Sequence, residues 1–219
     1  MPHRWDTLLA TARQRLHRAW EEWGPRVAVC WTAGKDSTVA LHLWREVVAA
    51  AGARPLAVTI DTGWKFPEIR EFRQRLAAAW EVDLRVVTPQ KSCVPVAADP
   101  VQCCAARKVL PLRRAVEELG LSALIIGVRA DEHPERAATD WQWEVDGHVR
   151  IAPLLEWSEV DIWTYHAWAQ IPWCTLYDQG YRSLGCVPCT SRSHDLAERS
   201  GRDLRKESHM ASLRSLGYF

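Results

Sequence analysis

The chain has 219 residues, with 28 Lys and Arg against 27 Asp and Glu, for a formal net charge of +1. That balance argues against a general nucleic-acid coat, while leaving room for a local basic patch. The composition is that of a globular domain expected in the cytoplasm: no apolar run nears the roughly 20 residues that span a bilayer, and the first residues lack the pattern of a signal peptide.

In chain order, residues 5–23 read as an amphipathic helix ended by Gly24-Pro25. Arg26-Val-Ala-Val-Cys-Trp31 is a nearly continuous apolar run, as expected of a strand buried on both faces. A helix is expected from Ser37 to about Ala51, then a strand over Pro55–Ile60 and a helix opened by Pro67 that reaches Trp80. Leu84–Val87 is a third strand, Cys103–Leu119 a helix stopped by Gly120, and Ala123–Ile126 a fourth strand. Alternation at this spacing predicts an α/β fold, a doubly wound parallel sheet with its ligand at the carboxyl ends of the strands.

Beyond this point, Trp141–Ile151 reads as a hairpin turning at Asp146-Gly147, and Ser158-x-x-Asp161 caps a helix over Glu159–Gln170. Residues 171–219 form a loop-rich C-terminal arm, read as part of the same domain as the nucleotide-binding segment 1–170. Several of the 13 tryptophans (Trp20, Trp44, Trp80, Trp163, Trp168) fall on amphipathic stretches and read as packing.

Thr32-Ala-Gly-Lys-Asp-Ser37 lies where the first strand meets its helix. Gly34 permits a tight turn, helix N–H groups face the ligand, Lys35 adds a charge and Ser37 a hydroxyl. The spacing is not that of a Walker A loop. The segment resembles the Ser-Gly-Gly-Lys-Asp-Ser pyrophosphate loop of the adenine-nucleotide α-hydrolases, with Thr32 and Ala33 in place of the usual Ser and Gly.

The resemblance extends along the chain. Asp61-Thr-Gly-Trp-Lys-Phe-Pro-Glu68, Gly127-Val-Arg129 and Pro153–Trp163 are similar to segments shared by phosphosulfate reductases and the small subunit of bacterial sulfate adenylyltransferase. Tyr177–Cys186 resembles the reductases, whereas Glu198-Arg-Ser-Gly-Arg202 and the closing Leu216-Gly-Tyr-Phe219 resemble the adenylyltransferase subunit. The chain is thereby identified as a member of the phosphoadenylylsulfate and adenylylsulfate reductase family.

Seven cysteines cannot all pair internally, and clustered thiols in a reducing compartment more often bind metal or do chemistry. Cys103-Cys104 and Cys186-x-x-Cys189 can supply four thiolates to a 4Fe-4S cluster, and adenylylsulfate reductases carry a similar arrangement. Structural zinc and unligated thiols are the alternatives. Arg107 and Lys108 are expected either to hold a negative cluster or substrate, or to lie on a solvated helix face. Cys30 and Cys174 read as packing residues, and Cys93 as an incidental loop cysteine with reactivity as the alternative.

Sulfonucleotide reductases use a further tail cysteine, within Glu-Cys-Gly-Leu-His, and generally lack the loop lysine. Here Lys35 is present and no cysteine follows Cys189. The resulting expectation is an ATP pyrophosphatase or adenylyltransferase, cleaving ATP at the α-phosphate and adenylylating an acceptor, with sulfate favoured. Lys35, Ser37 and Arg129 would be catalytic, and Thr32, Ala33, Gly34, Lys35, Asp36, Ser37, Asp61 and Gly63 would bind ATP with Mg2+. One alternative is an adenylylsulfate or phosphoadenylylsulfate reductase with an unusual or partner-supplied nucleophilic cysteine. The other is a sulfur-incorporation protein working with a cysteine desulfurase on nucleic acid. Expected partners are a GTPase large subunit, thioredoxin or a desulfurase, within a homo- or hetero-oligomer.

Overall fold

The computed structural model describes residues 4–90, 94–195 and 197–219. Helix α1 (Arg4–Trp23) buries Leu9, Ala12, Leu16 and Ala19, spaced to share one face, against α2 (Lys35–Ala50). Strand β1 (Val27–Cys30) lies between β2 (Leu56–Ile60) and β4 (Ala123–Ile125), parallel to both, which is why its residues are apolar on either face. Helix α3 (Pro67–Ala79) leads to β3 (Asp83–Val87), which pairs with β2.

A short helix α4 (Pro100–Cys104) is capped by Asp99, whose carboxylate accepts the N–H groups of Val101 and Gln102. It continues through a π turn, Ala105–Val109, into α5 (Leu110–Glu118). The single helix expected over Cys103–Leu119 is therefore continuous but locally widened.

After β4, a short helix α6 (Pro134–Ala137) precedes a hairpin, β5 (Gln142–Val145) and β6 (His148–Ile151). The predicted turn is where it was expected, with positive φ at Asp146 and Gly147. Strand β6 pairs parallel with β4, leaving β5 as an antiparallel edge. The sheet order is thus β3-β2-β1-β4-β6-β5. Chain direction across the sheet reverses between β1 and β4, and the loops after those two strands flank the crevice where doubly wound folds bind ligands.

Helix α7 (Glu159–Trp168) carries the expected cap, with Ser158 and Asp161 bonded reciprocally. The arm is more structured than its composition indicated. It has helices α8 (Leu204–Ser208) and α9 (Met210–Ser215), and Met210, Leu213 and Phe219 join Ile126, Val128 and Leu155 in a core above the sheet's carboxyl end. Two expectations about packing need correcting. Trp168 is 57% exposed, because it ends α7 on the solvent side. Cys30, at the open end of β1, is only partly buried, whereas Cys174 is fully buried as expected. Among the described residues no helix is long and apolar enough to cross a membrane.

Candidate active site

The loop after β1 closes on itself through short polar contacts. Thr32 Oγ1 lies 3.1 Å from Ser37 Oγ, the Thr32 N–H donates to Ser37 Oγ, and Ser37 Oγ in turn lies 3.1 Å from the Gly34 carbonyl. Ala33 holds φ at +62°, a left-handed conformation at the position where the resembling loops carry glycine. Gly127 explains how the β4 loop comes so near. A Cβ there would meet the Ser37 backbone nitrogen at 2.5 Å, so only glycine lets the two loops touch.

Lys35 and Arg129 do not face open solvent. Lys35 is 1% exposed; its Nζ donates to Glu198, sits 3.4 Å from Asp36 and reaches the Arg182 carbonyl. Arg129 is fully buried, with Nε on Asp36 at 2.6 Å and its terminal nitrogens on Asp131 and Glu198. Burial pushes the Asp36 carboxyl up, but Lys35 and Arg129 outweigh it and hold it at about 2. Burial disfavours the Lys35 ammonium and the Arg129 guanidinium, yet their carboxylate partners raise both above their ordinary values. Asp36, Glu132 and Glu198 bring carboxylate oxygens within 4.8 Å of one another. The cations Lys35, Arg129 and Arg136 hold that acidic knot together.

Beside this knot opens a cavity that includes Thr32, Gly34, Lys35, Asp36 and Ser37 in its wall. The facing wall is cationic, with Lys65, Lys108, Arg136, Arg150, Arg199 and Arg202, and Cys30 also lines it. Arg136, Arg150 and Arg202 are each at least nine-tenths buried, and each has an Nε–H without a partner. Gly185 lets Arg202 in: a Cβ at that position would meet the guanidinium at 2.3 Å. Burial pushes the Cys30 thiol up, with Arg150 and Lys65 opposing. Asp61 and Gly63 lie in an adjoining groove with Arg70 and Arg107, where Asp61 accepts from Arg70 at 3.0 Å and from the Gly63 N–H at 3.0 Å.

The paired cysteines come from α4 and from the turn Val187–Cys189. Cys103, Cys104 and Cys186 are buried and Cys189 partly so. Lys108 interacts electrostatically with Cys104, Cys186 and Cys189. Burial raises the Cys186 thiol, but Lys108 and Lys65, aided by the Thr62 hydroxyl 3.2 Å away, bring it down to about 7. Lys108 and Lys206 both donate to the Tyr218 hydroxyl, at 3.2 and 2.5 Å. Lys108 is therefore turned inward, whereas Arg107 bonds the Val94 carbonyl. Cys93 lies outside the described residues.

The sequence reading singled out the loop, Arg129 and the cysteine pairs, and missed Tyr177, Glu198, Lys65, Arg150, Arg202 and Lys206 as parts of the site. Tyr177, Glu198 and Arg202 lie inside segments whose resemblance had been noted. Lys65 also lies inside such a segment, Asp61–Glu68, whereas Arg150 and Lys206 come from a strand and a short helix that meet only in three dimensions.

A doubly wound sheet with the Thr32–Ser37 loop at its switch point and a cationic cavity beside it defines an α/β domain of the kind that binds its ligand at the carboxyl ends of the strands. Residues 26–192 match the family model described as the phosphoadenosine phosphosulfate reductase domain, and the chain belongs to that family. It is 34% identical over 195 residues to the adenosine 5'-phosphosulfate reductase of Streptomyces coelicolor, an alignment covering 84% of this chain and 79% of the relative. Its fold is similar to that of the phosphoadenylyl-sulfate reductase of Candida auris solved as a phosphate complex. The TM-score is 0.69 at 22% identity, over 87% of this chain and 98% of that one. It is also similar in fold to yeast FAD synthetase in complex with FAD, with a TM-score of 0.70 at 20% identity, over 99% and 80% of the two chains.

These relatives correct one expectation. The reading as an ATP pyrophosphatase or adenylyltransferase, with sulfate as acceptor, is overturned, because relatives at this level of identity are named reductases. The physical reason the sequence misled is Lys35. Its place in the loop implies a grip on a pyrophosphate, but its ammonium is buried and bound to the chain's own carboxylates.

Proposed function

We propose that this protein is a reductase of an adenylylsulfate-type sulfonucleotide, releasing sulfite and the adenylate. The observation that carries this reading is the cationic cavity wall beside the loop after β1, to which Lys65, Lys108, Arg150 and Arg202 contribute, with the Arg150 and Arg202 Nε–H groups buried and unpartnered. Buried unpaired donors are costly unless a ligand answers them, and a phosphosulfate brings the acceptor oxygens they lack.

In this reading Thr32 and Ser37 border the phosphate, Asp61 and Gly63 border the nucleoside, and Arg150 and Arg202 meet the sulfate. A thiolate attacks the sulfate sulfur, forming an S–S bond while the S–O bond breaks and the adenylate leaves with the electron pair. A second thiol, from a dithiol reductant such as thioredoxin, then attacks the first sulfur. Sulfite departs and a disulfide remains. The first thiol is an unusual cysteine of this chain or one lent by a partner.

The four paired cysteines fit a 4Fe-4S cluster. Among the described residues no three thiol sulfurs lie within 4.8 Å of one another, so a single tetrahedral ion has no preformed cage. Thiols converging from two elements on a cationic surround of Lys65, Lys108 and Lys206 suit a larger, negatively charged group. When bound, such a cluster would supply fixed negative charge next to those lysines. Cys103, Cys104, Cys186 and Cys189 would hold it.

The test is to incubate the anaerobically purified protein with adenylylsulfate and reduced thioredoxin, then assay sulfite and AMP. Equimolar release of both is expected. Repeating the assay with Cys30→Ser, Cys93→Ser and Cys174→Ser identifies an acceptor thiol within this chain. Absence of sulfite with every dithiol and candidate partner tried would reject the reductase reading.

A further inference from the structure

The loop after β1 has two donors suited to the far end of a nucleotide polyphosphate, the Lys35 ammonium and the Lys35 backbone N–H. Both are occupied from within. The ammonium donates to Glu198, and the backbone N–H donates to the Tyr177 hydroxyl at 2.9 Å. Glu198 also takes a terminal nitrogen of Arg129, whose Nε is held by Asp36. The Glu198 side chain is 9% exposed, so this is an interior ion pair rather than a surface contact.

The carboxylates around Lys35 differ in origin: Glu159, at the start of α7, lies 4.0 Å from its ammonium, and two others are closer. Asp36 belongs to the helix that the loop opens, and it stays with the loop in any state. Glu198 and Tyr177 come from the arm, more than 140 residues on, and they cover the loop from outside. An added diphosphate would need these same two cations while Asp36 and Glu198 still claimed them, and like charges this close repel. At the other end of the cavity, by contrast, Arg150 and Arg202 keep donors to spare.

We propose that Glu198, seconded by Tyr177, fills the pyrophosphate end of the anion loop and selects a nucleotide that carries no β- and γ-phosphates. Glu198 is thus a specificity-determining residue, an internal carboxylate standing where a diphosphate would bind. This inference rests on the sulfonucleotide reading above and adds the residue that excludes ATP from the same site.

The experiment is isothermal titration of wild type, Glu198→Gln and Glu198→Ala with inorganic pyrophosphate, ATP and adenylylsulfate in turn. Pyrophosphate and ATP are expected to bind the variants at least about tenfold more tightly than wild type, since the change leaves Lys35 and Arg129 short of an anion. Glu198→Gln preserves the side-chain volume and supplies the answer should Glu198→Ala not fold. Tyr177→Phe, which uncovers the Lys35 N–H, should give a smaller gain, about threefold. Folded Glu198 variants that bind pyrophosphate no more tightly than wild type would overturn the proposal, as would a wild type that binds ATP as tightly as adenylylsulfate. Failure of the reductase reading looks different. It appears as wild type releasing no sulfite, a result that leaves the pyrophosphate comparison between wild type and variants intact.

Discussion

The two ends of the cavity treat positive charge in opposite ways. At the loop end Lys35 and Arg129 each meet Asp36 and Glu198, and the charges close into a balanced, buried knot. At the cysteine end Lys65, Lys108, Lys206 and Arg202 crowd around thiols and one phenol, with the nearest carboxylates turned to other partners. The groups there do not shift alike: burial disfavours the Lys108 ammonium, yet Tyr218, Cys186 and Cys104 raise it above its ordinary value. Burial and Lys108 bring Lys206 down to about 8, while Lys108 and Lys206 overcome burial and pull the Tyr218 phenol down to about 7. One end is complete as the chain folds. The other is built to receive negative charge.

The largest effect is expected where that charge would be supplied. Anaerobically purified protein should be brown and hold about four irons per chain, and Cys104→Ser or Cys186→Ser should bleach it and lower the unfolding temperature, since metal binding couples to folding. Iron analysis and absorbance spectra check this. A colourless wild type with stoichiometric zinc would mean that the cysteine end is not what the comparison makes it.

The balanced end is tested by breaking one partner. Arg129→Met would leave Asp36 and Glu198 buried without their guanidinium, at an expected cost of about 3–5 kcal/mol in denaturant unfolding. A cost below about 1 kcal/mol would show that the knot is wetter and looser than its burial implies.

A smaller effect concerns a buried imidazole at the amino end of β6, outside the cavity wall. His148 is buried, its Nε2 has no partner, and burial together with Arg150 lowers its pKa to about 4. Between that value and the ordinary one near 6.5, the unfolded chain binds the proton and the folded chain does not. Stability should therefore fall as pH drops through this window, by on the order of 2 kcal/mol. Urea melts at pH 7 and pH 5 measure it, and His148→Asn should flatten the dependence whatever it does to stability at pH 7. An unchanged slope would place the acid sensitivity elsewhere.

Much of the framework could be read from residue order alone. The apolar runs at β1, β2 and β4 were legible because strands in the sheet interior have no polar side to confuse the pattern, whereas β3 is an exposed edge strand. The Asp146-Gly147 turn and the Ser158 cap were legible because each rests on local backbone chemistry. That the hairpin extends the main sheet through β6 was not legible, since strand partnership depends on contacts far apart in sequence. The site divided along the same line. The loop and the cysteine pairs announced themselves by spacing. Lys35 was read as a ligand-binding charge because nothing local shows that Glu198, 163 residues away, already holds it. Cys30 reads as core because it lies inside an apolar run, yet the strand stops there at the cavity wall.

The π turn at Ala105–Val109 gives the helix a residue to spare. A turn of this kind spends one residue more than an α-turn, and in an α-helix each residue rotates the outward direction by about 100°. Cys103 and Cys104 lie on one side of it, and Leu112, Ala115 and Val116, which seat the helix on β1, β2 and β4, lie on the other. The wide turn takes up that residue, so a single deletion within it would restore ordinary α-geometry and leave the cysteine pair in phase with the helix face on the sheet. An added residue would find no such slack and would swing the pair about a quarter-turn away from Cys186 and Cys189. The segment works as a slip joint, holding one residue in reserve without turning the thiols away from the sheet.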